Sequence, residues 1–131
     1  MEKKPIPSAD EWLREAKADA AAADCGMFLL HNGVVRRSAK AKARGGDAAA
    51  ADVKGMRFSY DAEKVADAVR AAEAMEGVRF IRVWLNEGEL SVGDDIMYVL
   101  VGGDIRPRVV DALQALVGRI KNECVTETEL S

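Results

Sequence analysis

The sequence predicts an α+β fold in which helices pack on a mainly antiparallel sheet. Three observations indicate this class: a capped helix near the N-terminus, a β-loop-β-α-β-β-α order of predicted elements after it, and a polar, glycine-containing connection between the two most apolar strands. A chain of 131 residues is long enough to bury one core, and no internal repeat or linker divides it. We therefore predict a single domain over residues 1–131.

The first predicted elements are a helix and a strand. Residues 8–11, SADE, follow a proline and form a capping-box pattern, which predicts a helix to about Ala23. Residues 26–35, GMFLLHNGVV, predict a strand interrupted at Asn32-Gly33 by a bulge. The inner face of the helix would carry Leu13, Ala16, Ala20 and Ala23.

A second strand and a second helix follow. The sequence GMRFSY at residues 55–60 predicts a short strand. Asp61 is placed to cap a helix, because its carboxylate can accept hydrogen bonds from the first free backbone N–H groups. Apolar residues then recur at helical spacing, and the predicted inner face contains Val65, Val69, Ala72 and Met75.

The middle of the chain contains the two most apolar strands. VRFIRVWL, residues 78–85, is rich in branched and aromatic residues and predicts a strand. NEGELSVGDD, residues 86–95, predicts a connection. IMYVLV, residues 96–101, is continuously apolar, which predicts a strand covered on both faces and ended by Gly102-Gly103-Asp104.

An amphipathic helix and an edge strand complete the predicted elements. The helix would be capped by Asp104 and end at Lys121, and the tail ECVTETELS would close as an edge strand. The helical spacing is carried by Val109, Val110, Leu113, Leu116, Val117 and Ile120.

Composition excludes several classes of protein. The net charge of −3 argues against a general nucleic-acid binder. There is no secretory signal, and no apolar run approaches the roughly eighteen residues of a membrane span, so we expect a cytoplasmic protein. Cys25, Cys124 and the sole histidine, His31, fit neither a disulfide framework nor a zinc site. We therefore expect no bound metal or cofactor, and a satisfied structural role for His31.

A basic loop is the least expected feature of this acidic chain. Residues 36–44 contain five cations and no acid, two glycines follow, and a DAAAAD piece with helical propensity comes next. The pattern predicts a flexible basic loop over about 36–54. A nucleic-acid arm is disfavoured because the loop lacks aromatic residues for base stacking. The cations are Arg36, Arg37, Lys40, Lys42 and Arg44.

Two further cations lie along the last predicted helix. The sequence GGDIRP, residues 102–107, places Arg106 at the helix N-terminus, where free N–H groups favour an anion. Lys121 follows fifteen residues later, roughly 22 Å along the axis at about 1.5 Å per residue. One ligand could not touch both residues of one chain, but it could touch Arg106 of one subunit and Lys121 of another.

Several motifs together resemble the large, catalytic subunit of molybdopterin synthase. The stretch GELSVGDDIMYVLV, continuing to Arg106, is similar to the core signature of that family. NGVVR at residues 32–36 is similar to its strand end before a flexible loop, and RFSY at 57–60 and Ile120-Lys121 match two further positions. The likeness covers most of residues 10–130 and implies the family's α/β hammerhead-like fold.

The resemblance implies a function in molybdenum cofactor biosynthesis. Members of the family form homodimers that bind two copies of a ubiquitin-like small subunit, which gives a heterotetramer. They transfer sulfur from the small subunit's C-terminal thiocarboxylate to cyclic pyranopterin monophosphate. By resemblance, Arg36 and Arg106 would bind anionic groups and Lys121 would be the catalytic pocket lysine, in a pocket built from two large subunits. We interpret the basic loop as a mobile flap beside this pocket; for its cations beyond Arg36, a merely solvated loop is the simpler interpretation.

Departures from the family pattern leave two hypotheses open. The family has His-Arg at the start of the last helix, where this chain has Ile105 and Arg106. Its second pocket lysine falls on Thr128, between two glutamates, and the stretch before the middle helix is about two residues shorter. A sulfur-transferring enzyme and a non-catalytic homologue with a degenerate pocket, acting as a binding or regulatory protein, therefore both fit the sequence.

Overall fold

The protein is described by a computed structural model that covers residues 2–39, 45 and 52–131. Two short turns accompany the regular elements, a 3-10 turn at Ala20–Asp24 and a π-helical turn at Ile120–Cys124. The helices are α1 (Ala9–Ala18), α2 (Ala62–Glu73) and α3 (Arg106–Arg119). The strands are β1 (Met27–Val34), β2 (Gly55–Tyr60), β3 (Val78–Leu85), β4 (Gly88–Ser91), β5 (Asp95–Gly103) and β6 (Val125–Leu130).

The predicted α+β class is confirmed, and the described strands form two sheets. β1-β5-β3 and β4-β2-β6 are each three-stranded, and all their pairings are antiparallel. β6 is an edge strand, as the tail composition predicted. β2 and β3 have the predicted bounds, and the register of β1 shifts between Gly33 and Val34, one residue beyond the predicted bulge.

The core is built around β5, which is buried from Ile96 to Gly103. Met97, Val99 and Val101 belong to the main cluster, which also contains buried side chains of α2 and α3. Tyr98 and Leu100 point to the other face and pack with Trp12 and Ala16 of α1. The prediction of a strand covered on both faces is therefore confirmed.

Helix α1 begins as predicted and ends earlier. The Ser8 hydroxyl accepts a hydrogen bond from the Glu11 N–H at 3.3 Å, as in a capping box. The α-helix stops at Ala18 because Asp19 has extended backbone and its carboxylate accepts from the Ala21 N–H at 2.9 Å, which starts the 3-10 turn. The predicted inner face is wrong in part, since Trp12 and Ala16 are buried whereas Ala20 and Ala23 are exposed.

The predicted cap of α2 is confirmed, whereas that of α3 is wrong. Asp61 accepts from the N–H groups of Glu63 and Lys64, at 3.0 and 3.2 Å. The N-cap of α3 is Ile105, which has no capping side chain. Asp104 lies one residue too early to cap, and its carboxylate instead accepts from the Ile105 N–H at 2.6 Å and binds Arg108 at 2.6 Å.

Two predicted boundaries around the apolar strands are also corrected. The connection at 86–95 contains β4, because Leu90 is buried and the segment pairs with β2 from Gly55↔Ser91 to Phe58↔Gly88. Gly102 and Gly103 extend β5 instead of ending it. A Cβ at Gly102 would lie 2.6 Å from the Phe28 ring, so glycine here permits close packing of β5 on β1.

Candidate functional site

A pocket of about 260 Å³ lies where β1, β2, β5, β6 and the π-helical turn meet. Its floor is apolar, and two cations, two acids and the sole histidine lie around it. The lining residues are His31, Gly33, Val34, Val35, Arg36, Val53, Met56, Ile96, Met97, Lys121, Glu127 and Glu129. Such a mixture suits a small ligand with a flat apolar face and polar ends.

Arg36 reaches this pocket because the chain just before it is held in place. Val35 is buried, its N–H donates to the Asp94 carbonyl at 3.0 Å, and its carbonyl accepts from the Gly93 N–H at 2.8 Å. These bonds attach the end of β1 to the turn between β4 and β5. The Arg36 side chain therefore starts from a fixed backbone position at the edge of the pocket.

Lys121 is positioned by the π-helical turn, not by the end of α3 as the sequence predicted. α3 ends at Arg119, and the wider turn that follows redirects the chain into β6. Ile120 and Cys124 anchor the turn in the core, with 0% and 3% of their surface exposed. Lys121 lies between these anchors and lines the pocket, and single π turns of this kind are frequent at functional sites.

The two pocket cations differ from the arginines that form ion pairs elsewhere on the protein. Arg57 binds Glu89 at 2.9 Å, and Arg108 binds Glu76 at 3.0 Å. Within residues 2–39, 45 and 52–131, neither Arg36 nor Lys121 has a hydrogen bond or ion pair through its side chain. Both remain available to an anionic ligand, to which charge-assisted hydrogen bonds would be strong.

Two glutamates of β6 line the same pocket. Side chains alternate along a strand, so Glu127 and Glu129 share a face and Thr128 points away from it. The sequence placed the family's second pocket lysine at Thr128, and the pocket-facing positions here are its acidic neighbours. Glu127 is half-buried, and its Oε1 is buried without a hydrogen-bond partner among the described residues.

His31 is part of the pocket, which the sequence reasoning missed. Its Nε2 is buried and has no hydrogen-bond partner in the described part of the chain, so the expectation of a satisfied structural histidine is wrong. Burial lowers the pKa of His31, and the nearby charge of Lys121 lowers it further, so the neutral imidazole is favoured. The period of two along β1 was the available signal, because residues 31 and 33 share one face of the strand and both line the pocket.

Arg106 does not join Arg36 and Lys121 in this pocket. It is exposed at the first position of α3, next to Ile105, which has 50% of its surface exposed. The geometric expectation that one ligand cannot touch Arg106 and Lys121 of the same chain is consistent with this placement. Of the basic loop, Lys40, Lys42, Arg44 and most of the DAAAAD piece lie outside the described residues.

The described residues contain neither a clustered set of metal ligands nor a membrane-spanning helix. No group of three or more His, Cys, Asp or Glu side chains there is arranged to hold a metal ion. None of the helices in that part of the chain combines the length and apolar character of a membrane span.

The sequence and the fold match one family of known proteins. A family model described as MoaE protein matches residues 4–123, whereas no curated protein sequence shows significant similarity. Molybdopterin synthase from Staphylococcus aureus has a TM-score of 0.73 at 17% identity, and the match covers 97% of this chain and 86% of that one. The molybdopterin biosynthesis MoaE protein from Burkholderia ambifaria MC40-6 has a TM-score of 0.72 at 13% identity, covering 97% and 84%.

A third structure contains two kinds of chain. The protein–protein complex of subunits 1 and 2 of molybdopterin-converting factor from Helicobacter pylori 26695 matches with a TM-score of 0.65 at 15% identity, covering 94% of this chain and 78% of that one. At these identities the structural matches show a shared fold. The family model spans nearly all of the chain and confirms the resemblance seen in the motifs from Gly88 to Arg106. The protein therefore belongs to the MoaE protein family.

Proposed function

We propose that this chain is the large subunit of a molybdopterin synthase and works in molybdenum cofactor biosynthesis. It transfers sulfur from the C-terminal thiocarboxylate of a small subunit to cyclic pyranopterin monophosphate. The observation that carries the proposal is the pocket between β1 and the π-helical turn, where Arg36 and Lys121 both lack ion-pair partners among the described residues. Membership of the MoaE family supplies the reaction class.

The chemistry of sulfur transfer requires cations at two moments. The substrate brings a phosphate that must be held, and the small subunit brings an anionic thiocarboxylate that must approach it. The thiocarboxylate sulfur bonds to a carbon of the substrate, and water then replaces that sulfur at the acyl carbon, so that the tail leaves as a carboxylate. Fixed cations stabilise the oxyanion that develops as water attacks. Arg36, attached through Val35, suits the holding role. Lys121, on the turn at the rim, is the residue we place at the reacting atoms.

Arg106 enters this scheme from a second copy of the chain. Within one chain it is absent from the pocket that contains Arg36 and Lys121. A homodimer that pairs around α3 would bring the partner's helix N-terminus, with its exposed N–H groups, towards the pocket. We propose two such composite sites per dimer, each served by one small subunit, in a cytoplasmic heterotetramer. The two-subunit complex named for the Helicobacter pylori relative supports the small-subunit partner.

The acids of the pocket favour a weaker anion site than two cations alone would give. Glu127 and Glu129 balance the charges of Arg36 and Lys121, and Ile105 takes the place of a family histidine. These features are the specific reason to keep the second candidate function, a homologue that binds the small subunit without transferring sulfur. The two functions differ in product formation, not in complex formation.

The test is a sulfur-transfer assay. The purified protein is mixed with a thiocarboxylated small subunit and cyclic pyranopterin monophosphate, and molybdopterin is quantified. We expect product from the wild-type protein and from the Lys17→Ala control, which removes an exposed lysine of α1, and none from Lys121→Ala. A tight complex without product in the wild-type protein would refute catalysis and favour the binding function.

A further inference from the structure

Two polar atoms beside the pocket lack the hydrogen bonds that buried groups normally make. Among the described residues, the buried side-chain nitrogen and oxygen atoms without a hydrogen-bond partner are Nε2 of His31 and Oε1 of Glu127. Buried polar groups in folded proteins are nearly always paired, so each exception calls for an explanation. Both residues line the same pocket, although they come from different sheets, which points to one ligand as their shared partner.

Gly33 lies beside Nε2 of His31 in the wall of the pocket. A Cβ at Gly33 would lie 3.7 Å from Nε2 and 3.1 Å from Cγ of Met97, so the missing side chain of Gly33 lets Met97 and the imidazole pack closely here. Water does not reach either unpartnered atom in this conformation. A small rotation of each side chain towards the pocket is required for contact, and the unmet hydrogen bonds favour that rotation.

The two groups offer complementary chemistry. His31 lies close enough to Lys121 to sense its charge, so an anion held by Lys121 would also be near the imidazole. Glu127 brings a carboxylate, which is an acceptor when ionised and binds a planar pair of N–H donors in a two-pronged arrangement. A ligand that satisfies both therefore carries an anionic group at one end and ring N–H donors at the other.

We propose that His31 and Glu127 are ligand-contacting residues of the pocket. His31 donates a hydrogen bond from Nε2 to the anionic group beside Lys121. Glu127 accepts hydrogen bonds from the N–H edge of an aminopyrimidinone ring such as that of a pterin. The inference rests on the proposed function, because it assigns these roles towards the substrate of that reaction. Neither residue belongs to the set that the family resemblance supplied, which was Arg36, Arg106 and Lys121.

The floor of the pocket favours the ring over the C-terminal tail of the small subunit as the partner of Glu127. Met56, Ile96 and Met97 are at least nine-tenths buried in the protein and present apolar surface to the pocket. A flat heterocycle can cover such a surface with its face while its edge reaches a carboxylate. A terminal glycine has no side chain to bury there.

The experiment measures binding of two ligands to matched variants of the intact protein. Cyclic pyranopterin monophosphate tests the ring and the anion together, and sulfate tests the anion alone. Glu127→Gln keeps the shape and removes the charge, and Glu73→Gln, which removes an exposed charge at the end of α2, is its control. We expect Glu127→Gln to weaken pterin binding about tenfold and to leave sulfate binding equal or tighter, since a negative charge has been removed. We expect Glu73→Gln to retain the wild-type pterin affinity.

The histidine is tested by the pH dependence of sulfate binding, because sulfate keeps the same charge between pH 5.5 and 7.5. We expect wild-type affinity to rise several-fold as the pH falls, since a bound anion favours the imidazolium, and His31→Phe to remove most of that rise. Among the described residues, the other charged groups that face the pocket are Arg36, Lys121, Glu127 and Glu129. Glu127→Gln and Glu129→Gln, measured in the same pH series, report any contribution of these carboxylates.

The outcomes separate this inference from the proposed function. Sulfur transfer by the wild-type protein, with equal pterin affinity in Glu127→Gln and Glu73→Gln, would overturn the role of Glu127 alone. A parallel loss of both ligands in Glu127→Gln would indicate damage to the pocket and would also overturn it. An unchanged pH profile in His31→Phe would overturn the role of His31. Wild-type protein that neither binds the pterin nor transfers sulfur would refute the proposed function and the ring contact together.

Discussion

Replacing Lys121 by glutamine tests the pocket as an anion site most simply. A sphere of the pocket's volume, about 260 Å³, has a radius of about 4 Å, so an anion at its centre lies about that far from a charge on the wall. At 4 Å the attraction is about 1 kcal/mol in a water-like dielectric and about 4 kcal/mol at an effective dielectric constant of about 20. Lys121 is exposed, which selects the lower end of that range.

The expected result is a five- to tenfold loss of sulfate affinity in Lys121→Gln, about 1 kcal/mol. Titration calorimetry at low ionic strength measures it, and the loss should shrink at about 1 M salt, where the Debye length falls to about 3 Å. Lys17→Gln is the matched control, because Lys17 is an exposed lysine outside the pocket. Equal affinities of wild type and Lys121→Gln, or the same loss in the control, would refute the assignment of Lys121 to an anion site.

Three further predictions concern stability. The folded state lowers the pKa of His31, so the neutral imidazole contributes to the free energy of unfolding above its ordinary pKa of about 6.5, and this contribution is lost as the pH falls towards the folded pKa. The free energy of unfolding, measured by urea denaturation, should therefore drop less between pH 7.5 and pH 5 in His31→Phe than in the wild type. Gly118→Ala should stabilise α3 by about 0.5–1 kcal/mol, because a Cβ there meets nothing within 4 Å. Gly103→Ala should cost about 1–3 kcal/mol, because its Cβ would lie 2.6 Å from the Gly77 carbonyl oxygen. Thermal unfolding that changed in the same direction in both variants would contradict this pair of predictions. Asn86→Leu should lower the free energy of unfolding by about 2–4 kcal/mol, since the buried amide accepts from the Lys4 N–H at 2.8 Å and donates to the Asp95 carbonyl at 2.9 Å. A loss below about 1 kcal/mol in urea denaturation would contradict this prediction.

Local signals in the sequence predicted much of the fold. The bounds of β2 and β3 and the caps of α1 and α2 depend on nearby residues, and each was predicted correctly. β4 was missed because it has only four residues with a single large apolar side chain, Leu90, and its strand state depends on pairing with β2, far away in the sequence. Gly102 and Gly103 indicated a break, whereas the close approach of neighbouring elements makes glycine the residue that fits inside β5.

The site was predictable where motifs mark it and not where tertiary packing builds it. The motifs indicated Arg36 and Lys121, and both line one pocket. His31 was interpreted as structural because a lone histidine forms no metal-ligand or catalytic motif. The roles of Glu127 and Thr128 could not be separated from sequence alone, because the register of β6 against β2 decides which of them faces the pocket.

The proposed active site combines Lys121 of one subunit with Arg106 of another, and mixed dimers test this composition directly. Arg106→Ala and Lys121→Ala are purified separately, then unfolded and refolded together so that subunits exchange, and sulfur transfer is measured before and after mixing. Each variant alone should be inactive, and a statistical mixture should recover about a quarter of wild-type activity, because half of the dimers are mixed and each mixed dimer has one intact site. If mixing restores nothing while wild-type protein treated in the same way recovers its activity, the shared site is contradicted.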